Sequence, residues 1–93
     1  MPENGDQKNR LKLRLWEVMW LAKEALSTGD KNKAERYWLI GSSLAEDLTK
    51  ITSPRTKEGI GARFQVISCL VEAGEIEAAK EYLRKFIVEK NKK

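Results

Sequence analysis

The sequence predicts an all-α fold in which four helices form two antiparallel helix hairpins, arranged as a stacked repeat or as a four-helix bundle. Three observations lead there. Lys, Glu, Ala and Leu dominate the 93 residues and β-branched runs are absent, a composition that favours helix. Apolar residues recur at helical spacing in four separate stretches. The phrase "LSTGDKNKAERYWL" at residues 26–39 returns as "VEAGEIEAAKEYLR" at 71–84, with Gly, acid, Ala and Tyr in step.

The first stretch runs from about residue 8 to Thr28, after a polar segment 1–7 expected to be flexible. It closes at Gly29, a residue that readily takes the left-handed conformation of a helix end. Asp30 suits the N-cap of a second helix over about 31–50, and so short a link forces an antiparallel hairpin. In "TSPR", Ser53 is the expected cap and Pro54 the expected first-turn residue of a third helix ending at Ala73 and Gly74. Glu75 opens the fourth helix, which frays in "KNKK", where Lys90, Lys92 and Lys93 suit the negative end of a helix dipole.

Residues 9–53 laid over 54–93 at an offset of 45 give two copies of one hairpin within a single domain spanning 8–93. Leu15 falls on Ile60, Met19 on Phe64, Ala22 on Ile67, Gly29 on Gly74, Asp30 on Glu75, Ala34 on Ala79 and Tyr37 on Tyr82. In the first copy Leu21, Ala22, Gly29, Asp30, Ala34, Trp38 and Gly41 supply large, small, turn, small, aromatic and small residues in that order. The pattern resembles the tetratricopeptide repeats, with a longer period than the family's ~34 residues. The resemblance implies a protein-binding scaffold without an active site. The Lys and Asn clamp that some family members use for a C-terminal carboxylate has no counterpart, since Lys23 falls on Ser68 and no Asn accompanies either.

At 100° per residue, Leu11, Leu15, Val18, Ala22, Ala25 and Leu26 make a core stripe on the first helix. Leu13, Trp16 and Trp20 lie on its opposite side, within about 60° of one another. The matching positions of the second copy are Glu58, Gly61 and Gln65, so the hairpin does not require apolar residues there. Either the other helices wrap the first and the three are core, or they form a contact surface for a second copy or another protein. On the third helix Ile60, Phe64, Ile67 and Val71 form a bulky stripe. Ala62, Val66, Cys69 and Ala73 form a small-residue stripe opposite, so contacts are expected on both sides, with Cys69 a small buried hydrophobe.

Composition narrows the chemistry. Without His and with one Cys, neither a zinc cluster nor a disulfide framework can be built from one chain, and His-based acyl transfer lacks its base. Pairs such as Glu46 with Asp47 and Glu72 with Glu75 occupy turn or surface positions, where nothing raises a carboxyl pKa for acid–base work. No catalysis, cofactor or small-molecule substrate is expected. The polar start and the lack of an apolar run near ~18 residues argue against a signal peptide or a membrane span, and a cytoplasmic location is the expectation.

The net charge of +4 keeps nucleic acid in view. Lys8, Arg10, Lys12 and Arg14 would be its contacts, but on a helix they spread over both flanks, and no known nucleic-acid-reading signature accompanies them. The leading expectation is a protein–protein interaction module, an adaptor or homodimer, that uses Leu13, Trp16 and Trp20. A basic helical nucleic-acid-binding protein is the alternative.

Overall fold

A computed structural model describes residues 3–91: α1 Glu3–Ser27, α2 Lys31–Thr49, α3 Lys57–Glu72 and α4 Ile76–Asn91, with no strand among the described residues. Each helix packs on the next in sequence, α1 on α2, α2 on α3 and α3 on α4, and α1 and α4 do not meet. The fold is therefore an open stack of two hairpins and not a closed bundle. Its Cα atoms span 45 × 33 × 15 Å, and the radius of gyration is 13.7 Å against about 12 Å for a compact chain of this length.

The two hairpin turns close with the same pair of bonds at the offset of 45. Gly29 and Gly74 take φ of 87° and 83°. The Gly29 N–H donates to Leu26 O and the Asp30 N–H to Ala25 O; Gly74 donates to Val71 O and Glu75 to Leu70 O. This is the Schellman arrangement, in which a left-handed residue lets its own N–H and the one after it satisfy carbonyls left over at a helix end. The second helix of each hairpin then starts at once, with Ala34 N–H on Asp30 O and Ala79 N–H on Glu75 O. Only the first turn adds a side-chain cap, Asp30 accepting from the Lys33 N–H at 3.1 Å.

Two helix starts differ from expectation. α1 begins at Glu3, so the helix takes in most of the segment expected to be flexible, and residues 1–2 lie outside the described part. An Asp6–Arg10 ion pair at i,i+4 and the Lys8–Glu58 contact support this extra turn. α3 begins at Lys57, with Thr56 as its cap, not Ser53 with Pro54 in the first turn. Thr56 N–H reaches back to Ser53 O across Pro54, closing a turn, and Thr56 Oγ1 then accepts from the Gly59 N–H at 3.0 Å. A Cβ at Gly59 would stand 1.5 Å from Ser53 O, so this turn presses on the helix where only glycine fits. At the far end of the chain Lys90 lies in the last turn of α4, while Lys92 and Lys93 lie outside the described residues.

The core lies between α1, α2 and α3. Leu15, Ala22 and Ala25 of α1 meet Ala34, Trp38, Ala45 and Leu48 of α2, and the small stripe Ala62, Val66, Cys69 and Ala73 of α3 closes over them. Small residues let these helices approach: a Cβ at Gly41 would sit 3.2 Å from Cys69 Sγ and 3.6 Å from Leu15 Cδ1. Cys69 is fully buried, and loss of hydration pushes its thiol pKa up to about 11, with the charge of Glu72 adding to the rise.

Two expected core stripes are only partly covered. Leu26, placed by periodicity on the α1 core stripe, is exposed, whereas its neighbour Ala25 is buried. The bulky stripe of α3 meets α4 through an edge-to-face contact of Phe64 with Phe86 at 5.6 Å, and Phe64 and Val71 remain about half exposed.

A candidate protein-binding surface on the first helix

α1 shows two opposite faces. Leu15, Ala22 and Ala25 are buried against the core, while Leu13, Trp16 and Trp20 stand 64%, 60% and 61% exposed on the reverse. The core reading of the three side chains does not hold within this chain: all three stay more than half exposed, while α1 packs on α2 through its other side. Their spacing of three and four residues makes one ridge along α1.

Trp16 also borders a shallow groove between α1 and α3. The groove is floored by Leu15, Leu48 and Ala62 and edged on the α3 side by Gly61 and Gln65. A Cβ at Gly61 would meet nothing within 4 Å, so the missing side chain leaves open space beside the indole. The surface is therefore a ridge of two indoles and a leucine next to a small apolar depression.

Three of the four basic residues near the N-terminus lie against carboxylates. Lys8 Nζ lies 2.9 Å from one Glu58 carboxylate oxygen and Lys12 Nζ 2.5 Å from the other. The hydrogen bonds from Lys12 and Lys8 hold the Glu58 carboxyl below its ordinary pKa of 4.5. Arg10 pairs with Asp6, which leaves Arg14 as the one of the four without an ion pair among the described residues. Lys8 and Lys12 share the Glu58 carboxylate and so tie the first hairpin to the second at the end of the groove that Trp16 borders.

Arg63 is a functional group of the fold that sequence reasoning missed. It is buried, and its guanidinium donates to Gly59 O and Thr49 O at 3.0 Å each and to Thr52 O at 3.2 Å, while Nε lies 3.1 Å from Glu89 Oε1. One side chain thus satisfies carbonyls around the α2–α3 connection and anchors α4. The signal was present at the offset of 45, where Arg63 stands in place of the half-buried Val18.

Among the described residues no group of three or more His, Cys, Asp or Glu side chains converges as a metal site would require. No helix there is long and apolar enough to cross a membrane. No protein-family model matches the chain, and no significant match is found among curated proteins or solved structures.

Proposed function

We propose that this chain is a non-catalytic protein–protein interaction module, a small adaptor or self-associating scaffold, whose contact surface is the α1 ridge of Leu13, Trp16 and Trp20. The observation that carries this reading is the exposure of all three on a helix whose other side already supplies the core, at positions where α3 has Glu58, Gly61 and Gln65. An aromatic side chain buries about 150–250 Å². Covering the exposed part of each indole at ~25 cal/mol per Å² is then worth about 2–4 kcal/mol before the cost of association. Tryptophan is over-represented among residues that dominate binding energies, and the depression beside Trp16 gives a partner side chain somewhere to enter.

A photo-crosslinking amino acid at Leu13 tests the reading in the native cell. A discrete adduct, with a second copy or with another protein, that disappears in W16A/W20A is expected. Absence of any discrete adduct would count against the ridge as a contact surface. The nucleic-acid alternative draws less support, because three of its four cations are already paired with carboxylates.

A further inference from the structure

A second apolar surface lies away from the α1 ridge, at the α3–α4 end of the stack. Phe64 projects from α3 on the side opposite its buried small stripe, and Leu83 and Ile87 flank Phe86 on α4. Phe64 is 54%, Leu83 38% and Ile87 50% exposed. Their counterparts at the offset of 45 are Met19, Trp38 and Ser42: Trp38 is buried in the core that α2 shares with α3, and Met19 and Ser42 are half-buried. At Leu83 the open end of the second hairpin thus repeats a position, Trp38, through which the first hairpin holds it. In this chain such a position is covered when a helical hairpin stacks on it.

The chain's other end cannot serve as that hairpin. Ala62, Val66, Cys69 and Ala73 make the small stripe by which α3 docks, and their counterparts on α1 are Glu17, Leu21, Glu24 and Thr28. Two carboxylates on the docking side would be buried without partners in head-to-tail stacking, which blocks an open filament. A two-fold contact of end against end has no such cost. Lys57, Phe64 and Val71 share one side of α3 at seven-residue spacing, with Glu72 next to Val71. Two antiparallel α3 helices crossing at Phe64 bring Lys57 of one copy, about 10–12 Å from the axis, level with Glu72 of the other. Neither residue has an ion pair within its own chain among the described residues.

We propose that the α3–α4 end face, centred on Phe64 with Leu83 and Ile87, is a two-fold interface with a second copy of this chain, registered by Lys57 opposite Glu72. Two helices of 16 residues side by side give a face about 24 × 20 Å. Pairing it with a second copy buries on the order of 1,000 Å², the lower limit for a specific interface, so a weak, concentration-dependent dimer is expected. It leaves the α1 ridge of each copy free, and the assembly is bivalent for whatever the ridge binds.

Sedimentation equilibrium from one to several hundred micromolar tests the proposal. A monomer–dimer equilibrium is expected in the parent and in W16A/W20A, with at least tenfold weaker association in F64K/I87K. K57E alone should weaken the dimer, and K57E/E72K should restore it, a recovery that damage to the fold would not produce. A parent that stays monomeric throughout would overturn the proposal, as would a dimer insensitive to F64K/I87K or a charge swap without recovery. A dimer lost only in W16A/W20A would overturn it while supporting the α1 ridge as the contact, so the two readings fail separately.

Discussion

Arg63 and Glu89 face each other across the α3–α4 contact with Nε–Oε1 at 3.1 Å and Nη2–Oε2 at 3.4 Å, a two-pronged pair in which the arginine is buried and the glutamate half exposed. The asymmetry determines what each residue is worth. Arg63 also donates to Thr49 O, Thr52 O and Gly59 O, so its removal strands carbonyls at the α2–α3 connection. Removing Glu89 leaves a guanidinium that still has three backbone acceptors.

R63A should therefore cost about 3 kcal/mol, and E89A about 1–2 kcal/mol, in urea unfolding. Among the described helices α4 approaches closely only α3. In E89A, amide exchange should quicken across α4 while α1 and α2 keep the parent's protection. Equal loss of protection in all four helices would show that α4 is held as part of one unit with the rest.

Gly41 and Cys69 should be energetically coupled. Replacing Gly41 by Ala gains up to about 1 kcal/mol of helix propensity, but the new methyl meets Cys69 Sγ at 3.2 Å in a fully buried setting where the sulfur cannot withdraw. G41A should destabilise the parent by about 1 kcal/mol and stabilise a C69A background. A double-mutant cycle reads this directly, and additive effects would mean that the sulfur yields to the new methyl without cost.

The Cys69 thiol should resist alkylation. Burial raises its pKa to about 11 and removes it from solvent, so at pH 8 the native protein should react with iodoacetamide only through opening. Addition of urea below the unfolding midpoint should accelerate labelling in proportion to the opened population.

The helical fold and its turns were legible in the sequence because their signals are local. Gly29 and Gly74 mark helix ends through backbone conformation, and the apolar period shows which face is buried. The start of α3 was not legible: Ser53 with Pro54 and Thr56 are both acceptable beginnings, and the tight approach of Ser53 O to Gly59 selects between them only in three dimensions. Arg63 escaped for the same reason, since its acceptors lie on three different segments. At the candidate surface, Leu13, Trp16 and Trp20 could be grouped on one side of α1 by angle alone. Whether that side was covered depended on where α2 and α3 pack.

Acid should loosen the link between the hairpins. Glu58 titrates below its ordinary 4.5 in the folded chain because Lys12 and Lys8 bond its carboxylate. A depressed acidic pKa contributes stability that is present in full above the unfolded value and is lost as pH falls through the folded value. Stability should therefore drop below pH 4.5, and E58Q should flatten that part of the profile while leaving the neutral-to-alkaline part parallel to the parent. An unchanged acid limb in E58Q would place the acid sensitivity at other carboxylates.

Thermal unfolding of W16A/W20A at low micromolar concentration, followed by circular dichroism, tests the central claim most directly. If the two indoles contribute little to the fold of this chain and stand open for another surface, the variant keeps the parent's helical signal and a cooperative melt. Its midpoint should lie within about 4–8 °C of the parent's, as expected for changes of up to about 1 kcal/mol. Loss of helicity, or destabilisation by more than about 3 kcal/mol, would place both rings in the core and contradict the account.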